Sequence, residues 1–351
     1  MIPELVSVFE NDDINKFETR LEVLEDKTNS TNEKTVYVGK YPLLPFRDGM
    51  RGTFGGEFIA QGILAAWQSI PSDDFTPHSL HAYFLKAGSI ESPTRWEILK
   101  INDGRNFINR LVKAYQVHTN QLVYSFQISF TKNNDFHKRE ETYQQQLANG
   151  DTKIRSIPFQ TGSLPGPMYY KYKDSLDDLP LIEHTHEHVQ HIVPPEFFKE
   201  TNLIDLNDLG NKQFGLFCRM TDDLSLAKNP IRTKFAQVGF LSDSLYLASI
   251  VHALGLSLAE EKDLFRVSLD HSLYFHDFNF DPTDWLYLDY RFEKVGNDRC
   301  LVHARFFTIQ GKLFATVTQE ALLFLNKRLT DHATAAHERF HKSDSTTLAR
   351  L

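Results

Sequence analysis

Histidines give this sequence its most visible chemical candidates. His184, His186, His188 and His191 fall close together, and their alternate spacing would align imidazoles on one strand face, as a metal ion would require. They stand among Glu183 and Glu187 with no cysteine beside them, so a solvated loop is the plainer reading and no metal is assigned. Asp270 and His271 are neighbours in a strand-like stretch, where successive side chains leave on opposite faces, so the two cannot form a dyad. His271 is therefore read as structural, and His81, in a comparable stretch of the first half, as a candidate for lining a substrate pocket. Serine-nucleophile chemistry is disfavoured. No Gly-x-Ser-x-Gly elbow occurs, and Gly162-Ser163-Leu164-Pro165-Gly166 has neither its spacing nor a strand-to-helix setting. No glycine-rich phosphate loop follows a strand, and Gly55-Gly56 opens a helix, where missing side chains permit close packing against a sheet.

These residues need elements to position them, and an internal repeat supplies those elements. In the first half, Phe54 to Trp67 reads as a helix, and His78 to Leu85, Arg95 to Ile101, Phe107 to Gln116 and Leu122 to Thr131 read as strands. Asn102-Asp103-Gly104 is a strong hairpin turn signal between the middle two. The second half repeats the order: a helix from Phe240 to Leu254 closed by Gly255, then strands over Val267 to His276, Trp285 to Val295, Arg299 to Ile309 and Lys312 to Leu325. The wording matches too, Leu111-Val112-Lys113-Ala114 against Leu301-Val302-His303-Ala304. Each half is one helix followed by about four antiparallel strands, an α+β unit in which the helix covers one face of a curved sheet. Two such units side by side join their sheets and remove two exposed edges. The expected boundaries are an N-terminal segment at 1–32, a first repeat at 33–132, a linker at 133–229, a second repeat at 230–330 and a tail at 331–351.

Composition agrees with this organisation. A chain of 351 residues with 41% hydrophobic and 24% charged residues buries one large or two fused cores. Its 28 Phe and 13 Tyr suit pleated surfaces. A net charge of -8 argues against a nucleic-acid partner, which selects a basic face. Cys218 and Cys300 read as buried small side chains of a reducing compartment. Residues 1–24 are interrupted by Glu10, Asp12, Asp13 and Lys16, unlike a secretory signal, and the longest apolar stretch, Leu245 to Ala259, is too short for a bilayer span.

Six segments in order carry a family resemblance: Arg51-Gly52-Thr53-Phe54-Gly55-Gly56, His78 to Leu85, Asp103-Gly104-Arg105-Asn106-Phe107, Ser242-Asp243, Ser268-Leu269-Asp270-His271-Ser272 and Thr318-Gln319-Glu320. Together they resemble the bacterial thioesterase II and peroxisomal acyl-CoA thioesterase family, over both repeats. The resemblance implies a double hotdog fold, with each central helix wrapped by an antiparallel sheet, and hydrolysis of fatty acyl-CoA to free fatty acid and CoA without a cofactor. It also implies an Asp, Ser or Thr, and Gln set around a water, which falls on Asp243, Ser268 and Gln319. Glu57 departs from the pattern, standing where many relatives carry Gln.

The chemistry suits those roles. Water attacks a thioester carbonyl once a base within hydrogen-bond reach accepts its proton. Burial would raise the pKa of Asp243 toward a useful value, whereas a position at the start of a helix would lower it. Ser268 and Gln319 both donate and accept, and can orient water without becoming covalent. The plain alternative for Asp243 is a first-turn acid, and for the other two polar strand positions.

Two other activities are weighed. A hotdog 2-enoyl-CoA hydratase needs a His five residues after its Asp, and the nearest here is His252, nine after Asp243. A non-catalytic acyl-CoA binding protein would use the same groove. The CoA phosphates call for cations, with Arg47, Arg51, Lys86 and Arg105 as candidates. The chain ends in Ala349-Arg350-Leu351, which has the small-basic-Leu pattern of a peroxisomal import signal, so an import receptor and the peroxisomal matrix are expected, along with a homodimer.

Overall fold

The computed structural model describes residues 3–46, 49, 52–183, 188–198, 214–254, 264–331 and 334. Helices α1 (Pro3–Phe9) and α2 (Lys16–Arg20) precede two strands, β1 (Val23–Glu25) and β2 (Lys34–Gly39). The first repeat then follows its expected order: α3 (Gly55–Gln68), β3 (Thr76–Phe84), β4 (Thr94–Asp103), β5 (Phe107–Gln116) and β6 (Gln121–Thr131). The strand spans fall within about two residues of those read from period-two patterning, since each has one face in the core and one outside. The β4–β5 turn comes slightly later than expected, because β4 runs on through Asp103 with a bulge between Lys100 and Asn102.

Helix α3 is apolar on nearly every side, and every residue from Gly56 to Trp67 is buried. A helix of that kind belongs inside a fold rather than on its surface. It lies on the strands of its own half and packs against α6 (Pro230–Leu241) of the other. The helices approach closely at Gly239, where a Cβ would come within 2.8 Å of Ile63 Cδ1. Fully buried Trp67, Trp96, Phe126 and Phe130 fill the space beneath, each side chain contributing about 1.5–3 kcal/mol through burial.

The second central helix departs from expectation. The stretch from Phe240 to Leu254 is not continuous: α6 ends at Leu241, four residues turn, and α7 spans Tyr246–Ala253. Asn229 caps α6 by accepting from the Arg232 N–H, with Pro230 in the first turn, an N-terminal signal present in the sequence. The expected strand from Val267 to His276 is likewise two, β10 (Leu264–Ser268) and β11 (Asp270–Phe275). After them come β12 (Leu286–Gly296), β13 (Arg299–Thr308) and β14 (Leu313–Leu325). Asn297 and Asp298, with φ of 52° and 57°, make the tight β12–β13 hairpin.

Residues 133–229 are more than a connection. They form α4 (Phe136–Ala148) and α5 (Pro167–Tyr172), then three strands, β7 (Leu181–Glu183), β8 (Val189–Ile192) and β9 (Phe214–Met220). Those strands extend the second half's sheet through β12. Among the described residues, all strands join one fourteen-stranded antiparallel sheet ordered β1-β2-β4-β5-β6-β3-β11-β14-β13-β12-β9-β8-β7, with β10 also on β14. The halves meet where β3 pairs with β11 and Leu80 faces Leu273. No helix among the described residues is long and apolar enough to cross a membrane.

The N-terminal segment straps the halves together. The buried Arg20 guanidinium pairs in bidentate fashion with the buried Glu57 carboxylate in the first turn of α3. The Lys16 and Phe17 N–H groups donate to Asp222, and Glu18 accepts from the N–H groups of Lys228 and Asn229 at the entry to α6.

Candidate active site

Asp243 stands in the four-residue turn between α6 and α7, one position beyond Ser242, the C-terminal cap of α6. It therefore does not begin a helix of its own. Its carboxylate instead meets the N-terminus of α3, from the other half. Phe54 precedes that helix without offering a side-chain cap. Asp243 fills the role by accepting from the Gly56 N–H. Gly55 is required here, since a Cβ would strike Asp243 Oδ2, and a Cβ on Gly56 would strike the Phe240 carbonyl and the Phe54 ring. The glycine pair thus serves this approach between halves rather than helix-to-sheet packing.

From β14, Gln319 Nε2 donates to Asp243 Oδ1 at 2.7 Å. Both residues are buried, with Gln319 1% exposed and Asp243 8%. Three influences act on the carboxyl. Burial is the largest and raises its pKa, the bonds from Gln319 and Gly56 lower it, and the net result is about 7. Burial outweighs the helix terminus, which decides a contest the sequence left open.

Asp243 lines a half-open cavity of about 630 Å³. Ser268, the last residue of β10, opens onto the same cavity. Gln319 is not among the lining residues but bonds to Asp243, so Asp243 and Ser268 share one cavity and Gln319 stands beside Asp243. Phe46, Phe54, Phe58 and Phe84 form one wall, and Leu247, Ala248 and Phe265 stand among the other lining residues. Among the described residues, this mostly apolar space carries two cations, Lys86 and Arg266. Arg266 was not singled out by sequence reasoning, although its place two residues before Ser268 was a usable signal.

Two expected pocket residues lie elsewhere. His81 is on the outer face of β3, exposed, with Nδ1 3.1 Å from Ser272 Oγ and its ring edge-on to Tyr274. Leu80 and Ala82 take the buried face, so strand alternation turns His81 away from the cavity. Arg105 is exposed in the β4–β5 turn. That turn adjoins Thr131, whereas Phe84 at the cavity pairs with Tyr124, seven residues along β6 (131 − 124), or roughly 23 Å. Arg47, Arg51, His184, His186, Gly255 and the final tripeptide lie outside the described residues. His188 and His191 are buried, with His188 packed edge-on against Phe17 and Phe240. Cys218 and Cys300 are buried free thiols, as expected.

Known proteins share this architecture. Residues 45–131 match the acyl-CoA thioesterase N-terminal domain and residues 174–323 the acyl-CoA thioesterase C-terminal domain. The chain belongs to the acyl-CoA thioesterase family. It is an acyl-CoA thioester hydrolase with a double hotdog fold. Over 334 residues it is 28% identical to peroxisomal acyl-coenzyme A thioester hydrolase 1 of Saccharomyces cerevisiae, covering 82% of this chain and 89% of that one. It is 26% identical over 279 residues to acyl-CoA thioesterase 2 of Haemophilus influenzae, covering 78% and 88%. Among solved structures, an acyl-CoA thioesterase II of Mycobacterium marinum superposes with a TM-score of 0.61 at 24% identity, covering 89% and 98%. A protein from Alicyclobacillus acidocaldarius described as having a hot dog fold gives 0.58 at 14% identity, covering 88% and 98%. None of these findings favours the hydratase or the non-catalytic binder.

Proposed function

We propose that the chain hydrolyses fatty acyl-CoA by direct attack of a water that Asp243 deprotonates. The observation that carries this reading is one carboxylate, buried at the wall of an apolar cavity, bonded to Gln319 and facing a helix N-terminus. In the reaction, water loses a proton to Asp243 and its oxygen bonds to the thioester carbonyl carbon. The carbon–sulfur bond then breaks, and the proton passes to the departing thiolate. Gln319 fixes the rotamer of Asp243, and the Ser268 hydroxyl orients the water. The positive end of the α3 dipole is assigned to stabilise the developing oxyanion. A base with a pKa near 7 is matched to neutral conditions.

The fatty acyl chain is assigned to the phenylalanine-walled part of the cavity, and the CoA phosphates to Lys86 and Arg266. Thiol release should be measured over short to long acyl chains for wild type, Asp243→Asn and Ser268→Ala. Asp243→Asn should retain its fold and lose most turnover, and near wild-type turnover would remove Asp243 from this role. In single turnover with ¹⁸O-water, direct attack places one label in the first acid released and none on Asp243, whereas an anhydride opened at the Asp243 carbonyl would leave that acid unlabelled and place the label on Asp243.

Peroxisomal import is inferred from Ala349-Arg350-Leu351 and from the name of the yeast relative. Deleting these three residues should leave a fluorescent fusion in the cytosol. A homodimer is inferred from the sheet edges at β1 and β7, which pair with no further strand among the described residues, and sedimentation at micromolar concentration reads it directly.

A further inference from the structure

The turn carrying Asp243 is held from two sides by groups that do not line the cavity. Ser242 Oγ donates to the Gly239 carbonyl at 2.7 Å, which uses its single proton. His271 Nε2 lies 3.0 Å from the same oxygen, so the imidazole must be the donor in that bond. This fixes His271 as the Nε2–H tautomer. Its Nδ1 is buried without a hydrogen-bond partner among the described residues. On the other side of Asp243, the Tyr290 hydroxyl, fully buried on β12, donates to the Ser244 carbonyl. The next residue, Leu245, has a φ of 55°, a left-handed conformation uncommon for a residue without special freedom there. Such a backbone persists when its surroundings over-determine it.

We propose that His271 and Tyr290 are positioning residues that clamp the helix break through Ser242 and Ser244 and so hold Asp243 against α3 and Gln319. Both bonds end on the immediate neighbours of Asp243, one on either side. The bond from His271 fixes the end of α6, and the bond from Tyr290 satisfies a carbonyl that a continuous helix would have paired internally. An anchor of this kind sets the direction of the carboxylate, because among the described residues the carboxylate itself is held only by the Gln319 and Gly56 bonds. This inference rests on Asp243 being the base.

The test uses the full chain with Tyr290→Phe, His271→Leu and His271→Gln, and Asp243→Asn as a control. The clamp predicts that Tyr290→Phe and His271→Leu each lower kcat about 10- to 100-fold, the cost of misplacing a catalytic group by a fraction of an ångström to an ångström, with KM little changed. His271→Gln, which keeps a donor near the Nε2 position, should recover most of that loss. Nitrogen NMR of wild type should show His271 as a single Nε2–H tautomer. If His271→Leu does not fold, Tyr290→Phe, which removes one oxygen, carries the test. A lowered melting temperature with wild-type kcat per folded molecule in Tyr290→Phe, while Asp243→Asn is inactive, overturns the clamp alone. Retained turnover in Asp243→Asn overturns the clamp together with the reading beneath it.

Discussion

The two central helices began from one plan and treat their buried polar groups in opposite ways. In α3 the helix is unbroken, and its interior polar side chains are satisfied by protein. Glu57 is bonded by Arg20 and by the Leu44 N–H, while Gln61 accepts from Trp96 Nε1 and donates to the Leu21 carbonyl. In the second half the helix breaks, and the break exposes one edge of a carboxylate to a cavity. The first half keeps its buried polar groups closed, and it lends the site a helix N-terminus, apolar lining such as Phe58 and Phe84, and Lys86. The second half supplies Asp243, Ser268 and Gln319. A duplicated unit can therefore divide its work: one copy retains the packing, and the other gives up helical continuity and presents a carboxylate to the cavity.

Substitutions that treat the halves alike should separate them. The largest contrast is between Asp243→Asn and Gln61→Leu. The first should lower kcat by about 10²- to 10⁴-fold, the range for losing a general base. The second should leave kcat of the folded enzyme within about two-fold, and its effect should appear in chemical denaturation, where an unpaired Trp96 donor costs about 1–3 kcal/mol. Equal kcat losses in both would erase the division of work.

Arg20→Met leaves the Glu57 carboxylate buried without its partner and should cost about 3–5 kcal/mol in urea melts. Arg20→Met combined with Glu57→Gln should recover much of that stability, because no unpaired charge remains. Failure of the double variant to recover would show that the strap works through shape rather than charge.

Protonation provides the third test. Burial raises the folded pKa of Asp243 to about 7 from the ordinary value of 3.8, so the folded state binds the extra proton between those values. The stability linked to that proton is full below about pH 4 and is lost as pH rises through 7. Asp243→Asn should therefore melt higher than wild type at pH 8, with the gap closing toward pH 4, and scanning calorimetry at both pH values reads the difference. The rate of the wild-type enzyme should rise with pH through about 7, since the base must be ionised. A rate already at its plateau at pH 5 would contradict a buried base.

Of the substitutions at the site, Gln319→Leu should have the smallest effect, about 10-fold in kcat, through loss of the bond that fixes the Asp243 rotamer. It should also move the acid limb upward, because that bond favours the ionised form. An acid limb that stays in place would assign Gln319 to the substrate rather than to Asp243.

Much of the scaffold was legible in the sequence. Alternating apolar residues and tight turns fixed most strands to within about two residues, and β5 (Phe107–Gln116) matched at both ends. The motifs also named Asp243 and Ser268, which line one cavity, and Gln319, which bonds to Asp243. Other features were hidden because their causes are remote in sequence. The apolar run from Phe240 to Leu254 looks like one helix, since nothing local reports the bonds from His271 and Tyr290 that hold its break. Phe214–Met220 is nearly all buried, a pattern that does not by itself distinguish strand from helix core, and so it was read as linker. Arg105 is a candidate for the CoA phosphates by its charge, whereas strand register carries it to the end of β5 and β6 away from the cavity.

The sequence by itself determined the duplication, the strand and turn pattern and the identities of the residues that could activate water, because these depend on side-chain period and type along the chain. Only the tertiary structure decided which helix terminus Asp243 faces, how deeply it is buried and where the cations stand. Those properties arise between residues such as Gly56 and Asp243, nearly two hundred positions apart, and the field and solvation of a carboxylate are set by whatever surrounds it in space.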